Sequence, residues 1–145
     1  MSNISLNSKS LKIVKYGDPI LRKRVKDVID FTNLSIFTHN MLKLMYEEKG
    51  IGLAANQAGV SLNILVIDIS GIDEENLKPL ILINTKIIHT EGSISMEEGC
   101  LSVPDIRANI VRPETITIKF QDLNQKEHIR SFSGLISRVI QHELD

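Results

Sequence analysis

The chain has one cysteine in 145 residues, so no intramolecular disulfide can form. That suits a reducing compartment. No charge of either sign dominates: 17 basic and 18 acidic residues leave a formal net charge of −1. This balance gives no reason to expect a nucleic-acid or membrane surface. Long apolar runs are missing as well. The strongest, Leu62–Ile69 and Leu80–Ile83, fall far short of the ~20 residues that a spanning helix needs. The opening MSNISLNSKSLKIVKYG lacks a signal-peptide core. There is no repeat, low-complexity tract or linker. The hydrophobic share is 42%, ordinary for a folded chain and long enough here to bury a core. These absences leave the expectation of a cytoplasmic globular protein, residues 1–145 forming one domain.

Periodicity places the elements. Asp18-Pro19 is a turn or helix-start signal. From Thr32 to Lys49, Leu34, Phe37, Met41, Leu44 and Met45 recur at three- and four-residue spacing. That predicts an amphipathic helix, capped near Thr32 or Asn33 and stopped by Gly50. A glycine-rich, irregular stretch follows. Leu62–Ile69 and Leu80–Ile88 read as strands. Strict alternation at Ile116, Ile118 and Phe120 predicts a half-buried strand, Asp122–Lys126 a turn, and His128–Phe132 the returning partner.

The last segment, SGLISRVIQHELD, predicts a helix with Ser133 as N-cap. Leu135, Val139 and His142 form one stripe, and Ile136, Ile140 and Glu143 form its neighbour. A face this wide implies burial against a sheet, and buried His and Glu side chains need partners. The predicted class is α+β, with mixed or antiparallel sheets around a buried C-terminal helix.

Three short stretches point to chemistry. Gly50-Ile51-Gly52-Leu53-Ala54-Ala55-Asn56-Gln57 is dense in small residues, which lets a backbone approach something closely. Alone it reads first as a packed loop after a helix. It fits a loose dinucleotide-binding pattern but follows a helix, which excludes that reading. Glu98-Gly99-Cys100-Leu101-Ser102 holds the lone cysteine, either a small buried hydrophobe or a ligand or nucleophile. His142-Glu143 opens the H-E-x-x-H pattern of zinc hydrolases, with Leu144 and Asp145 in the two middle positions. By itself a histidine there is more often a hydrogen-bonded core residue than a ligand. His39, His89 and His128 match no ligand spacing and read as surface or strand residues.

Taken together, the glycine-rich loop ending in Gln57, the E-G-C-L-S segment and the terminal Q-H-E resemble the three signature segments of the peptide deformylases, in the right order. The resemblance extends to Lys15–Arg22 and to Val103-Pro104. It implies a hydrolase of protein biosynthesis that removes the formyl group from the N-terminal methionine of nascent polypeptides. It implies N-formylmethionyl nascent peptides as substrate; transient ribosome contact stays open, since in bacterial relatives it is carried by a C-terminal tail that is not in this sequence.

It also implies one divalent metal ion, held by Cys100, His142 and a second histidine directly after Asp145. Two imidazoles at i and i+4 share a helix face. Fe(II) is the expected native ion, and the ligand set also accepts Zn, Ni or Co. Glu143 is then the proton carrier. Gln57 and the Leu101 backbone N–H stabilise the oxyanion, each such donor contributing about 3 kcal/mol. The Gly52 backbone lies along the substrate, Glu98 and Arg107 border the groove, and Ile51, Leu135 and Val139 line an apolar pocket for the methionine side chain.

The third segment departs from the family pattern by stopping before the second histidine. The expectation is a catalytic domain lacking its C-terminal end, with weak metal retention and little hydrolysis in this form. Two rivals share the motifs: an inactive deformylase-like module that binds methionine-headed peptides, and a metallopeptidase of the H-E-x-x-H type. The second gives no role to Cys100 or Gln57.

Overall fold

The computed structural model describes residues 11–15, 17–71, 78–100 and 103–144, and for residues 22, 96–100 and 103–109 the backbone alone. A single 3₁₀ turn, Pro19–Arg22, opens the fold, with the Asp18 side chain accepting from the Ile20 N–H at 3.0 Å. Helix α1 runs Leu34–Glu47. Among the described residues seven strands follow before the last helix: β1 (Gly52–Ala54), β2 (Ile64–Ile67), β3 (Leu80–Glu91), β4 (Ile94–Cys100), β5 (Val103–Arg112), β6 (Thr115–Gln121) and β7 (Glu127–Ser133). Helix α2, Gly134–Leu144, comes after them.

Five strands form one antiparallel sheet in the order β1-β2-β3-β6-β7. Strands β4 and β5 form a separate antiparallel hairpin, inserted in the chain between β3 and β6. The α+β class read from the sequence is the class observed.

The β1-β2 end of the sheet is buried on both faces, while the far half of β3 and most of β7 are exposed. One face packs on α1, through Leu34, Phe37, Met41 and Met45 against Leu53, Ile64, Val66 and Ile83. The other packs on α2, through Ile136, Val139 and Ile140 against Leu65, Ile67, Leu82, Ile116 and Ile118. Alternate residues of β2 thus point into opposite cores, which is why it reads as an unbroken apolar run.

The periodic helix of the sequence is α1. Asn33 stands at its N-cap position in the left-handed conformation and makes no side-chain capping bond. Ser133 directly precedes α2, but its hydroxyl is engaged across the sheet with the Thr115 hydroxyl at 2.9 Å. The irregular stretch after Gly50 contains a three-residue strand and a 3₁₀ turn, Ala55–Ala58. Strands β4 and β5 had no counterpart in the sequence reading.

Candidate active site

The first signature segment is held at the edge of the sheet. Strand β1 is an end strand, paired with β2 through Gly52↔Ile67 to Ala54↔Leu65. Just before it, the Ile51 carbonyl accepts from the Asp68 N–H at 2.9 Å. Asp68 accepts in turn from the Tyr46 hydroxyl and from the Ser70 N–H at 2.9 Å. Partial burial of Tyr46, then the hydrogen bond and charge of Asp68, push the phenol up to about 12. Burial raises the Asp68 carboxyl, but the hydrogen bonds from Ser70 and Tyr46 outweigh it and hold it below its ordinary value.

The turn after β1 orients Gln57. Its side-chain oxygen Oε1 accepts from the Ala54 N–H at 3.0 Å, and the residue is only 6% exposed. Its backbone carbonyl accepts from Val14 N–H at 2.8 Å. Gly59, at φ +87°, closes the turn in a conformation that favours glycine. With the amide oxygen accepting from the Ala54 N–H, the NH₂ is the donor end of the Gln57 side chain.

The third segment meets the first at Gly52. A Cβ built on Gly52 would lie 2.7 Å from Val139 Cγ1, 3.0 Å from Glu143 Oε2 and 3.2 Å from Glu143 Cγ. Strand β1 and helix α2 therefore approach so closely that only glycine fits. Val139 is buried, and Glu143 and His142 are half-buried at the last turn of α2. Ile51 and Leu135 are partly buried against the core that contains Val139.

The second segment enters through its backbone. Cys100 ends β4 where the hairpin register breaks: Gly99 pairs with Arg107, then Cys100 with Val103. Glu98 stands opposite Ala108. The side chains of Glu98, Cys100 and Arg107 lie outside the described residues, as does the whole of Leu101. The remaining histidines are elsewhere. His39 is exposed, His89 bonds Glu91 at 2.9 Å, and His128 bonds Asp122 at 2.8 Å while stacking on Phe120.

The sequence reading passed over three polar residues that join the hairpin to α2. Arg138, Gln141 and Arg112 are at most 8% exposed. Arg138 donates to carbonyls of both hairpin strands, Gln141 Nε2 donates to the Pro113 carbonyl at 2.9 Å, and Arg112 Nη1 donates to the Gln141 carbonyl at 3.5 Å. For Arg138 and Gln141 the only available signal was their place beside the apolar stripes of the last helix; Arg112, at the end of β5, gave none.

Among the described residues no three His, Cys, Asp or Glu side chains gather into a metal-binding group, the Cys100 side chain being outside them. The donors present still suit a metal. A soft thiolate and an imidazole favour a late first-row divalent ion. Glu143, packed beside Gly52, directly follows His142 in α2.

The last turn of α2, with His142 half-buried and Glu143 packed beside Gly52 at the sheet edge, is where the third sequence segment falls in this α+β fold. The sequence model of the polypeptide deformylase family matches residues 10–145, and the chain belongs to that family. The peptide deformylase of Prosthecochloris aestuarii is 41% identical over 138 residues, which is 93% of this chain and 74% of the relative. That of Acidobacterium capsulatum is 45% identical over 134 residues, 92% and 78% of the two chains. The crystal structure of peptide deformylase from Thermotoga maritima superposes with a TM-score of 0.87 at 36% identity, over 94% of this chain and 90% of that one. A Synechococcus elongatus peptide deformylase in complex with actinonin also gives 0.87 at 36%, over 99% and 82%. No helix among the described residues is long and apolar enough to cross a membrane.

Proposed function

We propose that the chain is a catalytic domain that hydrolyses the N-formyl group of formylmethionyl nascent peptides in the cytoplasm. The observation that carries this reading is the contact of Glu143 with Gly52, which sets a carboxylate beside the sheet edge where an extended peptide can lie.

Cys100 and His142 are the residues that would hold a divalent metal, Fe(II) by expectation with Zn, Ni or Co as alternatives. Such an ion supplies Lewis acidity and makes water nucleophilic at neutral pH. The remaining steps belong to this chain's own groups. The edge of β1 aligns the peptide, and Ile51, Leu135 and Val139 receive the methionine side chain. Glu98 and Arg107 border the groove. Glu143 takes a proton from the attacking water as its oxygen bonds the formyl carbon. The oxygen that becomes negative accepts from the Gln57 NH₂ and from the Leu101 N–H. Glu143 then gives its proton to the amine nitrogen, the C–N bond breaks, and formate and a free methionine amine leave.

Catalytic sites of this kind normally keep three protein ligands. The test is formate release from formyl-Met-Ala, with Ni(II) or Co(II) supplied anaerobically, by this chain and by a form extended with a histidine directly after Asp145. Release that needs metal and disappears in Cys100→Ser supports the reading. Cleavage of unformylated peptide bonds would favour a metallopeptidase. Peptide binding without turnover in both forms, unchanged by a chelator, would favour a binding module.

A further inference from the structure

The hairpin that ends in Cys100 and the helix that ends in His142 and Glu143 are separate pieces of the fold, and something must fix one against the other. Arg138 stands four residues before His142, so the two share a face of α2. It is 4% exposed. Its Nη1 donates to the Ile94 carbonyl at 2.9 Å, and its Nη2 donates to the Ile110 carbonyl. Ile94 opens β4, and Ile110 belongs to β5, paired with Met96. One guanidinium therefore grips both strands. The planar fork presents two rigidly spaced nitrogens, one to each acceptor, where an ammonium offers a single nitrogen. Beside it, Gln141 and Arg112 close the junction through Pro113 and the helix backbone.

We propose that Arg138 is a positioning residue: it seats the β4–β5 hairpin on α2 and so sets the Cys100 thiol against the His142 imidazole. The proposal rests on the metal-site reading above, but not on which bond the site cleaves. A buried cation is costly unless it is engaged, and here the Nη1 and Nη2 bonds span the hairpin and the helix that carry the candidate ligands.

Two readouts test it on the full chain without using turnover. The first is amide hydrogen exchange. Arg138→Ala should speed exchange in residues 94–112 by tenfold or more, with β2, β3 and β6 unchanged. The second is a Co(II) titration followed by thiolate-to-cobalt absorption. Apparent affinity should fall by tenfold or more, and Arg138→Lys should recover part of it. A purely structural residue would lower protection in sheet and hairpin together and leave Co(II) affinity of the folded fraction unchanged, which overturns the proposal. Unchanged hairpin exchange in Arg138→Ala also overturns it. If Arg138→Ala does not fold, Arg138→Lys decides. Faster exchange confined to the hairpin, with weaker Co(II) binding, supports the proposal; any other pattern overturns it. A formyl-peptide assay that failed while both shifts appeared would count against the deformylase reading alone.

Discussion

Replacing Gly52 with alanine tests the closest approach in the candidate site. The new Cβ would stand 2.7 Å from Val139 Cγ1 and 3.0 Å from Glu143 Oε2. Carbon atoms settle at about 3.5–4.0 Å, so roughly 1 Å of room must be made on the Val139 side. Val139 is β-branched and within a helix, so it cannot rotate away cheaply. Overpacking of this kind costs about 1–3 kcal/mol. For a chain of this size that lowers Tm by about 2–4 °C per kcal/mol. Glu143 can swing aside, but displacing a catalytic group by about 1 Å costs on the order of 10²-fold in rate. Thermal unfolding and formate release measure the two effects separately. Adding Val139→Ala removes the nearest atom, so the stability losses should couple by about 0.5–3 kcal/mol in the favourable direction. The rate loss should persist, because Glu143 is still crowded. A Gly52→Ala variant with unchanged Tm and unchanged rate would refute the packing argument.

Other perturbations follow from individual bonds. Gln57→Glu keeps an acceptor for the Ala54 N–H but loses the NH₂ donor, so the fold should persist while kcat drops about 10²–10³-fold. In a Tyr16→Phe background the phenol of Tyr46 should titrate near about 12 by ultraviolet absorption, and Asp68→Asn should move it down. The raised value means that the associated stability is present below pH about 10 and is lost as pH rises toward 12. Asp122 is held below its ordinary 3.8 by the hydrogen bond from His128, with help from the Lys126 and Asn124 N–H groups. Its contribution is present above pH 3.8 and is lost as pH falls through the lowered value, so Asp122→Asn should flatten the acid limb of a stability–pH curve.

Much of this architecture was legible because the core imposes periodicity. Leu34, Phe37, Met41 and Met45 announce α1, and Ile116, Ile118 and Phe120 announce β6, since each set faces a packed layer. The β4–β5 hairpin was not legible. It lies outside the five-stranded sheet, and a run such as Glu97-Glu98-Gly99-Cys100 carries no two-residue apolar rhythm. Strand β1 has three residues, too few to show a period. Among the candidate site residues, Gly52, Gln57, Cys100, His142 and Glu143 were visible through motif and resemblance. The contact of Gly52 with Glu143 was not, because it depends on how closely β1 approaches α2. Arg138 escaped for a different reason. A long cation is usually exposed, and its burial depends on acceptors at Ile94 and Ile110, 44 and 28 residues away in the chain.

The most direct test of the account is formate release from formyl-Met-Ala by the parent chain and by Glu143→Ala, side by side, each carrying the histidine after Asp145. The account predicts metal-dependent release by the parent. It predicts a loss of at least about 10²-fold in Glu143→Ala, with peptide binding retained. Release by Glu143→Ala within a few-fold of the parent would contradict it, because the carboxylate packed on Gly52 would then not carry the proton.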